Sequence, residues 1–248
     1  MIQTVIPISE GDFQLARRLL GRFVSWKEYL EDRSFVIVAQ WKDHFDAKEL
    51  YGQFKSTFPN TTWAVIPDVP EDNGWPDNAN HTFSQVAELM AGSTFYFMEA
   101  DNFPLRPCFL DSLEQEYEAA GKPYMGAVEP TRVTLPSGED VERGKHMVGT
   151  GIYPENFLSV CVSIHHVPLG MPFDVYIQDE VVPKCHETPL IHHAFRTACY
   201  TFDGKIITGK DQTVRPGKHS YGGPVSKEAL VIHGCKDFSL WEIDFSAY

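Results

Sequence analysis

Glu99 and Asp101 stand one residue apart at the end of an apolar run, Phe95-Tyr96-Phe97-Met98-Glu99-Ala100-Asp101. A strand that delivers acidic side chains at its carboxyl end is where α/β proteins place metal and ligand sites. Side chains alternate with a period of two, so the spacing predicts both carboxylates on one strand face. Two hard oxygen ligands side by side suit magnesium or manganese, with phosphate oxygens completing the shell. The competing reading is turn chemistry, with Asp101-Asn102 ahead of Pro104 serving only to start the next element.

Four other constellations carry chemical potential. His233-Gly234-Cys235-Lys236 places an imidazole, a flexible backbone position and a cation together, and Gly234 allows close approach of backbone to a ligand. The run Phe173-Asp174-Val175-Tyr176-Ile177-Gln178-Asp179-Glu180 ends on adjacent carboxylates, Asp179 and Glu180, groups able to accept a proton. The alternative there is a helix start where acids meet the helix dipole. Gly149-Thr150-Gly151 reads as a strand approached closely by a ligand or another backbone, or else as a bulge. In the loop Trp75-Pro76-Asp77-Asn78-Ala79-Asn80, Asn78 and Asn80 are suited to cap the following helix. The pairs His165-His166 and His192-His193 are read as structural, because neighbours on a helix point about 100° apart.

The elements that must position these residues alternate. Residues 2–8 form a first strand; 11–31 carry Phe13, Leu15, Leu19, Leu20 and Phe23 at helical spacing, with Ser9 as N-cap and Asp12 three residues on. The apolar run 35–39 has the composition of a buried parallel strand. A helix over 46–54, a strand over 63–66, a Pro-, Asp-, Asn- and Gly-rich loop over 67–80, and a helix over 82–91 closed by Gly92 come next. The strand 94–98 then leads into the carboxylates. This β-α-β-α-β-α-β order implies a parallel sheet with right-handed crossovers.

Beyond it, the pattern predicts a helix over 112–120, a strand over 123–128 and a polar loop over 130–145. A glycine-bearing strand over 147–153 and helices over 156–164 and 187–196 come next. Strands over 198–202 and 230–233 flank a Gly- and Lys-rich stretch at 203–224. No GxGxxG follows the first strand and no GxxxxGK[ST] occurs, so a nucleotide here must be held by metal and side chains.

Bulk properties narrow the class. The chain has 248 residues, 43% of them hydrophobic, enough for one large α/β core. Its net charge of −13 weighs against nonspecific nucleic-acid binding, which rests on cations meeting phosphate. A local strip, Lys205, Lys210, Arg215 and Lys218 with His219 and Tyr221, weighs the other way, with a solvated loop as the plain alternative. No run approaches the ~20 apolar residues of a membrane span. The N-terminus reads as a strand and not a signal peptide. Cys108, Cys161, Cys185, Cys199 and Cys235 are odd in number and form no CxxC, which points to reduced thiols in the cytoplasm.

Taken together, Glu99-Ala100-Asp101, the terminal His233 and the acids near 179 resemble nucleotide-sugar-dependent glycosyltransferases with the GT-A fold. The first is similar to their D-x-D element, with Glu one methylene longer in the first position. The resemblance spans most of the chain. It implies a single α/β GT-A-like domain over 1–248, with a mixed, mainly parallel central sheet flanked by helices. Within it, residues 1–104 form a Rossmann-like donor half and 105–248 an acceptor half ending in the metal-binding His. It implies Mn2+ or Mg2+ held by Glu99, Asp101 and His233; Asp101 binds directly, and Glu99 through water or by holding the ribose instead. Donor contacts fall at Pro7, Gln40, Asn78, Asn80, Glu99, Ala100 and Lys236. His233 and Lys236 are similar to a shortened His-x-x-Gly-x-x-Lys element, in which the Lys meets the diphosphate. Asp179, with Glu180 behind it, takes the acceptor proton if the enzyme inverts. The implied reaction is hexosyl or pentosyl transfer from a nucleoside-diphosphate sugar, UDP-linked by preference, to a hydroxyl. A hydroxymethylated base in bacteriophage DNA is one acceptor, placing the protein in the host cytoplasm; a glycan or a protein side chain is another. A metal-dependent phosphoesterase is the rival class. The resemblance implies no membrane partner and a monomer or small homo-oligomer.

Overall fold

The computed structural model describes residues 1–69, 73–134, 140–193, 199–202, 205–208 and 228–234. The first hundred residues alternate as their apolar runs dictate: β1 (Gln3–Ile8), α1 (Phe13–Ser25) with the short α2 (Lys27–Leu30), β2 (Phe35–Gln40), α3 (His44–Thr57), β3 (Thr61–Ile66), α4 (Asp77–Leu89) and β4 (Phe95–Phe97). Next come β5 (Phe103–Pro104), α5 (Phe109–Ala120), β6 (Tyr124–Thr134) and β7 (Asp140–Tyr153). Three short helices, α6 (Phe157–Val160), α7 (Phe173–Tyr176) and α8 (Gln178–Val181), precede β8 (Cys185–Glu187), β9 (Ile191–His193), β10 (Cys199–Phe202), β11 (Lys205–Thr208) and β12 (Val231–His233).

Seven strands form the central sheet in the order β3-β2-β1-β4-β7-β6-β8. The pairs β3–β2, β2–β1, β1–β4 and β6–β8 are parallel; β4–β7 and β7–β6 are antiparallel. Because β1 to β4 run parallel, Ile8, Gln40, Ile66 and Phe97 end along one edge, where α/β sheets bind ligands. A second sheet, β5-β12-β9, brings the chain's late residues to that edge through β5, which follows the β4 turn.

The period of two sorts the strand residues onto two cores. Ile6, Ile8, Phe35, Ile37, Ala39, Tyr96 and Ile152 face α1, α3 and α5, where Leu19, Phe23, Leu50, Phe54 and Leu113 are buried. Val5, Val36, Val38, Phe95, Phe97 and Tyr153 face the other side, where Phe83 of α4 packs with Phe157, Phe173, Ile177 and Val181. The Phe83 and Phe173 rings stack at 3.9 Å and fix α7 against α4.

Several expectations need correction. The span 130–145 is no polar loop over its described residues; β6 and β7 pair as far as Thr134 and Asp140. Glu142 to Lys145 are all exposed, and a ribbon wet on both faces shows no apolar alternation for a sequence pattern to register. The helix expected over 187–196 is replaced by β8 and β9, with 194–198 outside the described residues. Pro189 accounts for this, because its ring holds Thr188 toward extended conformations. The helix expected over 156–164 is one α turn and a 3-10 segment (Val162–His166), separated by Cys161 at φ −126°, ψ 79°. Helix α4 begins at Asp77, so Asn78 and Asn80 lie inside its first turns and not in a loop. Ser9 does not cap α1 directly. Its hydroxyl donates to Asp12 Oδ2 at 2.6 Å across a 3-10 turn, and Asp12 occupies the N-cap position.

Candidate functional site

Strand β4 ends at Phe97, and the two carboxylates lie just past it. The Asn102 N–H donates to the Glu99 carbonyl at 3.0 Å, closing a turn over 99–102. That turn, and not a shared strand face, brings Glu99 and Asp101 together. Asn102 is fully buried and braces the turn: its Nδ2 donates to the Glu99 carbonyl at 2.7 Å and to Thr150 Oγ1 of β7 at 3.1 Å. The Thr150 hydroxyl in turn donates to Glu99 Oε2 at 3.5 Å.

His233, at the end of β12, meets this turn. Its Nε2 lies 2.6 Å from Glu99 Oε2 and 3.4 Å from Asp101 Oδ1. One ligand atom from each of the three residues lies within 4.8 Å of the others, the only such grouping among the described residues. Asp101 is 3% exposed and His233 7%, whereas the Glu99 side chain is 36% exposed. Two carboxylate oxygens and one imidazole nitrogen suit manganese well and magnesium acceptably. Adjacent ligands on a metal at about 2.1 Å stand about 3 Å apart, a spacing that the two His233 contacts, 2.6 Å and 3.4 Å, bracket.

Sequence reasoning set His193 aside as structural, yet it orients His233. Parallel pairing of β9 with β12 places His193 opposite His233, with their Nδ1 atoms 3.0 Å apart. Burial, followed by the His233 ring, pushes His193 down to about 3, so it is neutral and offers a lone pair. A His233 Nδ1–H donated to it turns Nε2, as a lone pair, toward the carboxylates.

The remaining predicted residues are placed unevenly. Pro7 and Gln40 lie at the ends of β1 and β2, on the same edge as Glu99, Ala100 and Asp101. Gln40 is buried and its Nε2 donates to Thr82 Oγ1 at 3.1 Å. Both ends of the Asn80 amide are occupied: Nδ2 donates to the Met171 carbonyl and Oδ1 accepts from the Phe173 N–H, each at 2.8 Å. Asn80 thus ties α4 to the segment ahead of α7. Asn78 sits one turn from Thr82, which donates to its carbonyl at 3.0 Å. Lys236 and the strip at 210–221 lie outside the described residues. Lys205 opens β11.

Asp179 is exposed on α8, and no described contact links it to the trio. Glu180 accepts hydrogen bonds from the Val162 and Ser163 N–H groups and the Ser163 hydroxyl, and so caps the 3-10 segment. Asp174, five residues earlier, is better shielded, with 18% of its side chain exposed. Its Oδ2 accepts from the Gly149 N–H at 3.2 Å and its Oδ1 from the Val175 N–H at 2.9 Å. Burial pushes its carboxyl above the usual carboxylate range; Glu99 adds to that push, while His146 and the two backbone donors oppose it. Gly149 and Thr150 are adjacent, so Asp174 and Glu99 flank one short piece of β7. The glycines of β7 are crowded by protein. A Cβ at Gly149 would meet the Phe173 ring at 3.2 Å, and one at Gly151 the Met125 carbonyl at 2.9 Å.

Comparison with solved structures assigns the fold. WbbM, a bifunctional glycosyltransferase in its apo form, superposes on 96% of the chain with a TM-score of 0.56 at 8% identity. The match covers 48% of that protein, so this chain spans about half its length. A 4-diphosphocytidyl-2C-methyl-D-erythritol synthase matches 71% of the chain and 83% of its own length, with a TM-score of 0.40 at 11% identity. Residues 1–349 of S. aureus TarS, in complex with UDP-GlcNAc, match 64% of the chain and 47% of their own length, with a TM-score of 0.39 at 14% identity. No family profile and no curated protein matches the sequence. The chain has a GT-A-like α/β fold: among the described residues, a seven-stranded, mostly parallel sheet flanked by helices. No helix among the described residues is long and apolar enough to cross a membrane.

Proposed function

We propose that this protein is a metal-dependent glycosyltransferase that moves a sugar from a nucleoside-diphosphate donor, UDP-linked by preference, to a hydroxyl acceptor. The observation that carries the reading is the convergence of Glu99, Asp101 and His233 at the carboxyl edge of the parallel strands. These residues would hold Mn2+ or Mg2+, which when bound offsets the charge that grows on the departing diphosphate. His193 and Thr150 orient the trio from behind. Pro7, Gln40, Asn78 and Ala100 line the donor side, with Lys236 as the further contact to the diphosphate. The single domain over 1–248 would divide into donor and acceptor halves near residue 104.

We assign the base to Asp174 in place of Asp179. Asp174 is partly shielded from solvent and tied to the residue next to Thr150, whereas Asp179 is exposed and Glu180 is engaged as a cap. Asp174 takes the proton of the acceptor hydroxyl as its oxygen attacks the anomeric carbon, the bond to the diphosphate breaks, and the configuration inverts.

For the acceptor we carry forward a hydroxymethylated DNA base of bacteriophage type, supported by the basic strip at 205–221 and opposed by the overall charge of −13. Label passing from the donor into hydroxymethylated duplex but not unmodified duplex would establish it, and label entering only glycan or protein would reject it. The reading itself is tested by thermal shift. UDP or GDP is expected to raise the melting temperature only when manganese is present, as ligand linkage requires. Stabilisation by inorganic phosphate with manganese, without a nucleotide effect, would point to the phosphoesterase instead.

A further inference from the structure

The surroundings of Asp174 contain a second titratable group on β7. His146 directs its Nε2 toward Asp174 Oδ2, 4.0 Å away, and its Nδ1 toward Thr131 Oγ1 of β6, 3.0 Å away. Thr131 is buried, and its hydroxyl donates its one hydrogen to Gln178 Oε1 of α8 at 3.0 Å. What Thr131 presents to His146 is therefore a lone pair, so Nδ1 carries a hydrogen. The other ring nitrogen faces a carboxylate. Both nitrogens of His146 thus face acceptors, Thr131 Oγ1 on one side and Asp174 Oδ2 on the other.

We propose that His146 is the positioning partner of Asp174, a ring set between Thr131 and the carboxylate that favours its ionised form and aims it at the acceptor hydroxyl. This rests on the transferase reading with Asp174 as base. The acceptor proton passes to Asp174, the acceptor oxygen bonds to the anomeric carbon, and the electron pair of the broken bond leaves with the nucleoside diphosphate. A carboxylate shielded from water keeps its charge only where donors or a cation favour it, and His146 faces Asp174 beside the Gly149 and Val175 N–H groups. The charged and titratable neighbours are few. His146 and Glu99 face Asp174. His146 is met by Asp174 from α7 and by the neutral His193 from β9. Across the β6–β7 ladder, its register partner Glu129 feels Glu187 and Lys145.

The test compares wild type with His146→Gln, His146→Lys, Thr131→Val and, for assignment, Asp174→Asn. Carboxyl carbon NMR of aspartate-labelled protein follows Asp174 in the unliganded chain. UDP release from a panel of UDP-sugars with manganese, water serving as acceptor, gives the rate against pH. Manganese-dependent UDP binding is measured alongside. In His146→Gln, Asp174 is expected to titrate about one pH unit higher. The acid limb of the rate should move with it, lowering turnover on that limb about tenfold, while UDP binding changes less than about twofold. His146→Lys should bring the titration back toward wild type. Thr131→Val should shift it in the same direction as His146→Gln by a smaller amount, and serves if the latter does not fold. An unmoved Asp174 titration in His146→Gln, or equal behaviour of the Gln and Lys variants, would overturn the proposal. A wild type that neither binds UDP with manganese nor releases it from any donor would remove the transferase reading, and the role of His146 with it, whatever the NMR result.

Discussion

Asp101→Asn is expected to abolish manganese-dependent binding of UDP or GDP and to lower turnover by at least ~10²–10³-fold, the cost of removing a fixed charge at a reacting diphosphate. The substitution is isosteric, and Asp101 lies in a turn closed by Asn102 contacts to Glu99, so the fold should survive. Asp101 is 3% exposed, and water cannot readily take its place as a ligand. Glu99→Gln should do less, because the Glu99 side chain is 36% exposed and water can enter there. Calorimetric titration of UDP with and without manganese, run on both variants, checks the ordering. Equal loss in both would mean that Glu99 and Asp101 hold the ion alike. Undiminished metal-dependent binding in Asp101→Asn would remove Asp101 from the ion site.

Asp174→Asn is expected to leave that binding intact and to lower transfer by ~10²–10⁴-fold, the usual worth of a general base. It should also remove a pH dependence of stability. The Asp174 carboxyl titrates above the usual range in the folded chain because of its burial. Ionising it therefore costs stability as pH rises through the folded value. Wild type should therefore lose melting temperature relative to the Asn variant as pH rises from the unfolded carboxylate value of about 3.9, by about 2–4 °C for each kcal/mol. This comes on top of a pH-independent cost in the variant for the backbone N–H its amide NH2 cannot accept. The wild-type rate should fall on acidification at a higher pH than an ordinary aspartate would give. Asp179→Asn should move neither rate nor melting temperature by much. Full transfer by Asp174→Asn together with loss in Asp179→Asn would return the base to Asp179.

The donor half was legible because its signals are local. Apolar runs such as Phe35–Ala39 and helical spacing such as Leu15, Leu19 and Phe23 specify element type without reference to distant residues. The acidic pair was legible as a pair, but the turn that joins its members depends on Asn102 reaching Thr150 on β7. His193 escaped notice because its partner lies 40 residues away and is set by the register of β9 against β12. Asp174 carried a signal that could have been used. Phe173, Ile177 and Val181 are buried at four-residue spacing. On a helix that stripe puts Asp174 at its flank and Asp179 on the opposite side. The β6–β7 ribbon could not be read, since a ladder exposed on both faces leaves no periodic trace.

The most direct measurement is release of nucleoside diphosphate from a panel of UDP- and GDP-sugars incubated with the protein, with and without manganese. Slow release from one donor, dependent on manganese and lost in Asp101→Asn, is the predicted result. No release from any donor, together with no metal-dependent binding of UDP or GDP in the same samples, would contradict the assignment of this site to sugar-nucleotide chemistry.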